Sequence, residues 1–385
     1  MRCEQRLWTA ESGWSGSAPN LGSAGLVLYF GSRDALASGE RHRDLQVAYP
    51  GAQLLGCSTG GQIVGDAIDD DAIVAIAVKF DATRVRLAAV DVRGPDDSEA
   101  CGEALGQALR GDDLAGIFLL SDGLHVNGSG LAAGLRTATG PAVPISGGLA
   151  GDGSHFRATL VGAGDAPPRE KRVAAVGLYG TALRLGHGSG GGWESFGPSR
   201  QVTRSEGSRL LELDGQPALD LYERYLGEEA KGLPGTALLY PLRIWDASRP
   251  QHGVVRTVLG VDRSTRTMTF AGDIPQGWMA QLMHGRFDQL VAGAADASTQ
   301  ATQGSPRETA GNQQLAVLVS CIGRRLVMGQ AITDEIIATV NGLTPGTVIT
   351  GFYSYGELAP HAISGACELH NQSMTVTILS EAEAC

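Results

Sequence analysis

Short apolar runs, separated by glycine-rich turns, divide the chain. Unbroken runs at 25–30 (GLVLYF), 53–57 (QLLGC), 72–80 (AIVAIAVKF) and 116–120 (GIFLL) predict strands buried on both faces. Residues 85–92 read as a hairpin partner of 72–80, and 143–146 as a further short strand. Helical spacing appears at 32–47, ending near Pro50, and again at 98–109 and 129–138. Residues 1–22, rich in Gly and Ser, read as a frayed leader.

Beyond Phe156 the pattern changes. Residues 159–163 and 173–185 predict a long hairpin with a Pro-Pro tip at Pro167, which makes the sheet mixed rather than purely parallel. The run GHGSGGG at 186–192 predicts a loop. A helix is expected at 218–225 and strands at 237–241 and 254–261. A second helix is expected at 276–293, where Met279, Met283, Phe287 and Leu290 recur at helical spacing. Residues 294–311 read as loop or disorder, and strands close the chain at 315–320, 348–353 and 374–378. No internal repeat is visible. The break at 213–217 (LDGQP) divides the chain into expected domains at 23–214 and 215–380, each with its own core. The expected class is α/β, with mixed parallel and antiparallel sheets flanked by helices.

Composition narrows the function. The chain has 385 residues, 43% hydrophobic and 18% charged, so a sizeable core forms. Its 55 glycines amount to roughly double the usual share of about 7%. A net charge of −11 repels phosphate backbones and argues against nucleic acid as a partner. Lys79, Lys171 and Lys231 are the only lysines, and none stands in a Walker A spacing. The six cysteines form no C-x-x-C pair, and no apolar run reaches membrane-spanning length. A cytoplasmic location with reduced thiols and no membrane is therefore expected.

Two motifs fit familiar patterns and fail their contexts. Residues 56–60 (GCSTG) match G-x-S-x-G, but no helix start follows Ser58, as a nucleophile elbow requires. Residues 186–191 match G-x-G-x-x-G, but Pro198 follows instead of a helix. Three polar loops carry more weight, at 57–59, 121–128 and 146–153. Each follows an apolar strand at its carboxyl end, where open α/β sheets gather ligands. Ser58, Thr59, Asn127 and Asp152 are the binding candidates there, with Ser58, Asn127 and Asp152 expected to line one pocket. In the second half, Tyr355, Glu357, His370 and Asn371 form a polar cluster beside apolar strands, either an internal network or a ligand cradle.

These residues carry a resemblance. GCSTGGQI from Gly56, SDGLHVNGS from Ser121, GGLAGDG from Gly147 and LDGQPALDLYERYLG from Leu213 resemble the N-terminal domain of FIST proteins and its junction. TMTFAGDIP from Thr267, AQLMHGRFDQL from Ala280, GFYSYGEL from Gly351 and CELHNQSMTVTIL from Cys367 resemble the C-terminal one. The resemblance implies a bacterial sensor, not an enzyme, that binds a small molecule and acts on a histidine kinase or a cyclic-di-GMP pathway. Similar two-domain proteins include haem proteins that sense nitric oxide. A haem b would need an apolar slot and an axial ligand. The absence of C-x-x-C-H excludes covalent attachment, and His125, His187, His252 or His370 is the expected ligand. His42 and His361 lie in surface-like segments, and His284 lies beside the stripe of its helix. The alternatives are a sensor of a non-haem ligand such as an amino acid, or a serine hydrolase using Ser58.

Overall fold

The computed structural model describes residues 1–15, 19–305 and 313–382. Three units of one topology build the body. The first comprises β1 (Arg2–Thr9), β2 (Gly13–Trp14), β3 (Leu26–Gly31), α1 (Arg33–Ala37), α2 (Glu40–Ala48), β4 (Gln53–Ser58), β5 (Gln62–Val64), β6 (Ala67–Asp69) and β7 (Ile73–Lys79). The second comprises β8 (Arg84–Asp91), α3 (Ser98–Leu109), β9 (Leu114–Ser121), α4 (Gly128–Thr139), β10 (Ile145–Leu149), β11 (Val161–Ala163), β12 (Ala166–Arg169) and β13 (Arg172–Tyr179).

The third opens with β14 (Leu183–Gly190) and is then interrupted by an insert. The insert holds β15 (Trp193–Glu206), β16 (Arg209–Leu213), β17 (Gln216–Pro217), α5 (Ala218–Leu226), β18 (Leu242–Trp245), β19 (Gly253–Arg256), β20 (Val258–Asp262), β21 (Thr267–Phe270) and β22 (Met279–Gly285). The unit resumes with α6 (Phe287–Gly304), β23 (Leu315–Cys321), α7 (Ile322–Met328), α8 (Ile332–Asn341), β24 (Val348–Ser354), β25 (Gly356–Pro360), β26 (Cys367–His370) and β27 (Met374–Glu381).

In each unit two parallel strands are joined through helices: β3 with β4, β9 with β10, and β23 with β24. A closing antiparallel strand flanks the first of each pair, and the opening strand flanks that. The intervening hairpin leaves its own unit. β5–β6 pairs with β24 of unit 3, β11–β12 with β4 of unit 1, and β25–β26 with β10 of unit 2. The exchange closes a ring in which every unit completes a neighbour's sheet and covers an open edge.

Inner faces of the three sheets share one core. Leu28, Phe30 and Leu55 meet Phe118, Leu120 and Val176, and both sets meet Val317, Val319 and Phe352. Phe30 stacks on Phe352 at 4.6 Å. Helices cover the outer faces in three separate clusters, while the insert has its own core around Leu210, Leu219, Tyr222 and Phe270.

Several expectations are corrected. Residues 2–9 are β1, paired along β7, rather than a frayed leader. The helix at 32–47 breaks at Gly39, whose φ of 69° is left-handed. β8 pairs with β13 in another sheet, not with 72–80, and β11 turns into β12 instead of forming a hairpin with 173–185. Residues 235–239 form a 3-10 turn where a strand was expected. The glycine run at 186–192 is mostly strand β14. A Cβ at Gly186, Gly188 or Gly190 would lie 2.1, 1.9 or 1.9 Å from a carbonyl oxygen of α6, so glycine lets helix and strand backbones touch.

Residues 279–285 are strand β22, and α6 then runs from Phe287 to Gly304 across most of the expected loop. Residues 306–311 of that loop lie outside the described residues. The break at 213–217 falls in the β16–β17 turn, within the insert. Strands before it share sheets and the central core with strands after it, so the two separate cores expected from the sequence do not form. The internal repeat missing from the sequence is present in the topology.

Candidate functional site

Six parallel strands end at one side of the body, and the loops after them interlock. The Gly60 N–H donates to Tyr353 O (2.7 Å), the Gly151 N–H to Ser58 O (2.9 Å), and the Tyr355 N–H to Leu149 O (3.1 Å). Each bond crosses between units. Two cavities lie on this ring, separated by Ile322 and Leu326 of α7, which line both.

The first, about 240 Å3, lies between the loops of units 2 and 3 and the insert. Its wall is mostly apolar: Val126, Leu149, Phe156, Phe270 and Leu369. Asn127, Ser208, Thr257 and Tyr355 add polar groups. Thr257 is 4% exposed, and its hydroxyl has no hydrogen-bond partner among the described residues. A buried hydroxyl left this way costs about 1–3 kcal/mol, which a ligand atom would recover. Burial raises the pKa of the Cys321 thiol in the same wall, so it stays protonated and unreactive.

The second cavity, about 660 Å3, is polar, with Arg33, Asp70, Asp152, His155 and Arg325 among its lining residues. Arg325 is committed to Asp70 at 2.5 Å and to the Gly60 carbonyl. Asp152 accepts the N–H groups of Phe156 (2.9 Å), Arg157 (2.9 Å) and Ala158 (3.1 Å), and the Tyr355 hydroxyl. Burial pushes its pKa up, but these hydrogen bonds outweigh burial and hold it below the usual carboxylate value. Burial, reinforced by the hydrogen bond to Asp152, raises the pKa of Tyr355. Tyr355 stacks on Phe156 at 4.6 Å, so one residue pair braces both cavities.

The residues singled out from the sequence separate accordingly. Asn127 and Tyr355 reach the apolar cavity, Thr59 and Asp152 the polar one, and Ser58 neither. The single pocket expected for Ser58, Asn127 and Asp152 is thus corrected. Ser58 is fully buried, and its hydroxyl accepts the Leu160 N–H at 2.8 Å, so it faces neither cavity as a nucleophile would. The Thr59 hydroxyl accepts Gln62 Nε2 at 2.9 Å. Asn127 caps α4 with its carbonyl and donates from Nδ2 to Asp273 Oδ1 at 2.7 Å, tying unit 2 to the insert.

Glu357 lies behind the ring, bonded by Ser354 Oγ (2.7 Å) and Ser373 Oγ (2.8 Å). Burial pushes it up to about 8. Asn371 Oδ1 accepts the Thr257 N–H at 3.4 Å. His370 faces the carbonyl of Ala359, with Nε2 3.2 Å away.

None of the four expected haem ligands lines either cavity. His125 packs its Nδ1 on Asp122 at 3.2 Å, and His252 bonds Glu368. His187 is enclosed on β14, with both ring nitrogens unpartnered among the described residues, and burial pushes it down to about 4. Among the described residues none of these four imidazoles opens onto the apolar cavity, so they do not fit a haem there. Three further histidines depart from their expected settings: His42 and His361 are buried, and His284 lies on β22. Thr257, Ser208 and Arg325 were not singled out from the sequence. Residues 269–272 of the cavity wall lie within the TMTFAGDIP stretch, which stands out in the sequence only for its family resemblance.

The model described as the FIST N domain matches residues 25–216, and that described as the FIST C domain matches residues 218–360. An uncharacterized protein of Methanocaldococcus jannaschii is 26% identical over 226 residues, covering 55% of this chain and 43% of that protein. An uncharacterized protein of Mycobacterium tuberculosis is 27% identical over 221 residues, covering 54% of this chain and 55% of the relative. The chain thus spans about half the length of these relatives. A solved cyanuric acid hydrolase from A. caulinodans, 12% identical, covers 78% of this chain and 100% of its own with a TM-score of 0.17, and no argument rests on it. Among the described residues, no helix is long and apolar enough to cross a membrane.

Proposed function

Because the chain belongs to the FIST family, whose domains are associated with signal-transduction sensors that bind small ligands, we propose that it is a sensor whose ligand occupies the apolar cavity beneath the insert. The unpartnered Thr257 hydroxyl in that wall carries the reading, since a buried polar group without a partner calls for a ligand atom. About 240 Å3 suits a compact, mostly apolar molecule with one hydrogen-bonding end, such as a hydrophobic amino acid or a small aromatic acid. The cavity is walled by the insert on one side and by units 2 and 3 on the other. Occupancy therefore changes how firmly the insert is seated, and that change is the signal passed to a histidine kinase or a cyclic-di-GMP enzyme.

Thermal melting with isoleucine, phenylalanine and indole tests this. A saturable rise with one of them is expected, because binding the native state stabilises it by RT ln(1 + [L]/Kd). Flat melting with every compact apolar probe would contradict the reading. Mixing with haem is expected to leave a free-haem spectrum. A Soret band lost on replacing His125, His187, His252 or His370 would restore the haem nitric-oxide sensor.

A further inference from the structure

Away from both cavities, the insert meets the exchanged β25–β26 hairpin through a cluster of imidazoles and a carboxylate. His252 stands in the turn just before β19, His361 directly follows β25, and Glu368 lies on β26. Ligand atoms from these three side chains all lie within 4.8 Å of one another. His252 Nε2 is 2.7 Å from Glu368 Oε1, and the His252 and His361 ring centroids are 4.0 Å apart. We propose that His252, His361 and Glu368 bind one zinc-like divalent cation, which pins the insert to unit 3.

The donor chemistry selects the ion. Two imidazoles and one carboxylate suit a borderline cation such as Zn2+, at bond lengths near 2.0–2.2 Å, with a fourth position left to water. Donors already grouped this closely need only small side-chain adjustments to reach those lengths. A hydrogen-bonded His252–Glu368 pair is the simpler account, and His361 has its own contact, its Nδ1 accepting the Ile363 N–H at 3.3 Å, but neither explains why all three donors converge within 4.8 Å. His361 is 7% exposed, and its ring lies tilted at 53° against that of His252, which keeps the two imidazoles side by side.

The surroundings fit such a site. His361 Nε2 lies 3.4 Å from the Gly253 carbonyl, a contact that can orient the ring. His370 stacks behind His361 at 6.2 Å and keeps to the carbonyl of Ala359, so it packs against the cluster without joining it. The His252 and Glu368 side chains are 16% and 22% exposed, which gives an ion a way in. This inference stands on its own observations and does not depend on the apolar cavity.

The test uses the untagged full chain, stripped with EDTA and dialysed. Calorimetric titration with Zn2+ should show one site per chain, and Co2+ should give visible ligand-field bands of low symmetry. His252→Ala and Glu368→Gln, both at partly exposed positions, should each weaken Zn2+ by at least about tenfold while leaving circular dichroism unchanged. His361→Asn should do the same, and His125→Ala should not. Absence of saturable Zn2+ binding in the wild type, or wild-type affinity in His252→Ala and Glu368→Gln, would overturn the proposal.

Discussion

Glu357 is fully buried, and its carboxyl accepts the hydroxyls of Ser354 and Ser373 and the Ser373 N–H. Burial raises its carboxyl to about 8, far above its ordinary value of 4.5. Between those two values the unfolded chain releases a proton that the folded chain keeps. Stability should therefore fall as pH rises across this window, by at most about 1.4 kcal/mol per pH unit. Urea melts of Glu357→Gln between pH 5 and pH 8 should show a shallower decline than the wild type, whereas equal slopes would place the raised pKa elsewhere. Tyr355→Phe removes the hydroxyl bond to Asp152, a contact to a charged group. A loss of about 1.5–3 kcal/mol is expected in denaturant melts, and less than 0.5 kcal/mol would mean that water replaces the bond.

Among the elements, β14 shows how close packing disguises a strand. Its alternate glycines abut the carbonyls of α6, so the side-chain pattern that usually marks a strand is missing. Gly188→Ala sets a methyl group 1.9 Å from Ala297 O and should cost at the upper end of about 1–3 kcal/mol in thermal melts. Gly260→Ala, with nothing within 4 Å, should be close to neutral. The misreading of β22 has a different cause. Met279 and Met283 are four residues apart, a spacing that also places them on one face of a strand, so period alone could not decide. Strands β3, β9 and β23 were legible because both faces are buried and the run is unbroken. Of the residues lining the apolar cavity, Asn127 stood out in a loop following such a strand and Tyr355 in a polar cluster beside one. Thr257 and the His252–His361–Glu368 cluster were not, because they are assembled by the insert and an exchanged hairpin that no local pattern encodes. His361, in its Pro-flanked segment, looked exposed for the same reason.

At the scale of the molecule, hairpin exchange makes the three units interdependent. A fragment ending at residue 215 keeps β5–β6 without β24, and it loses Val317, Val319 and Phe352 from the central core. It should unfold without a cooperative transition, and a sharp one would mean that the first two units suffice. Removing 193–285 should be tolerated instead, since Trp193 pairs with Gly285 and the insert has its own core. That shortened chain should melt cooperatively yet show no stabilisation by any of the cavity probes. The most direct test of the account is titration of the best of those probes into the wild type, Val126→Trp and Arg325→Ala. Val126 lines the apolar cavity and Arg325 the polar one. The account predicts that filling the apolar cavity in Val126→Trp abolishes binding, while Arg325→Ala binds as the wild type does. Unchanged affinity in Val126→Trp, with loss in Arg325→Ala, would contradict it and move the ligand to the polar cleft.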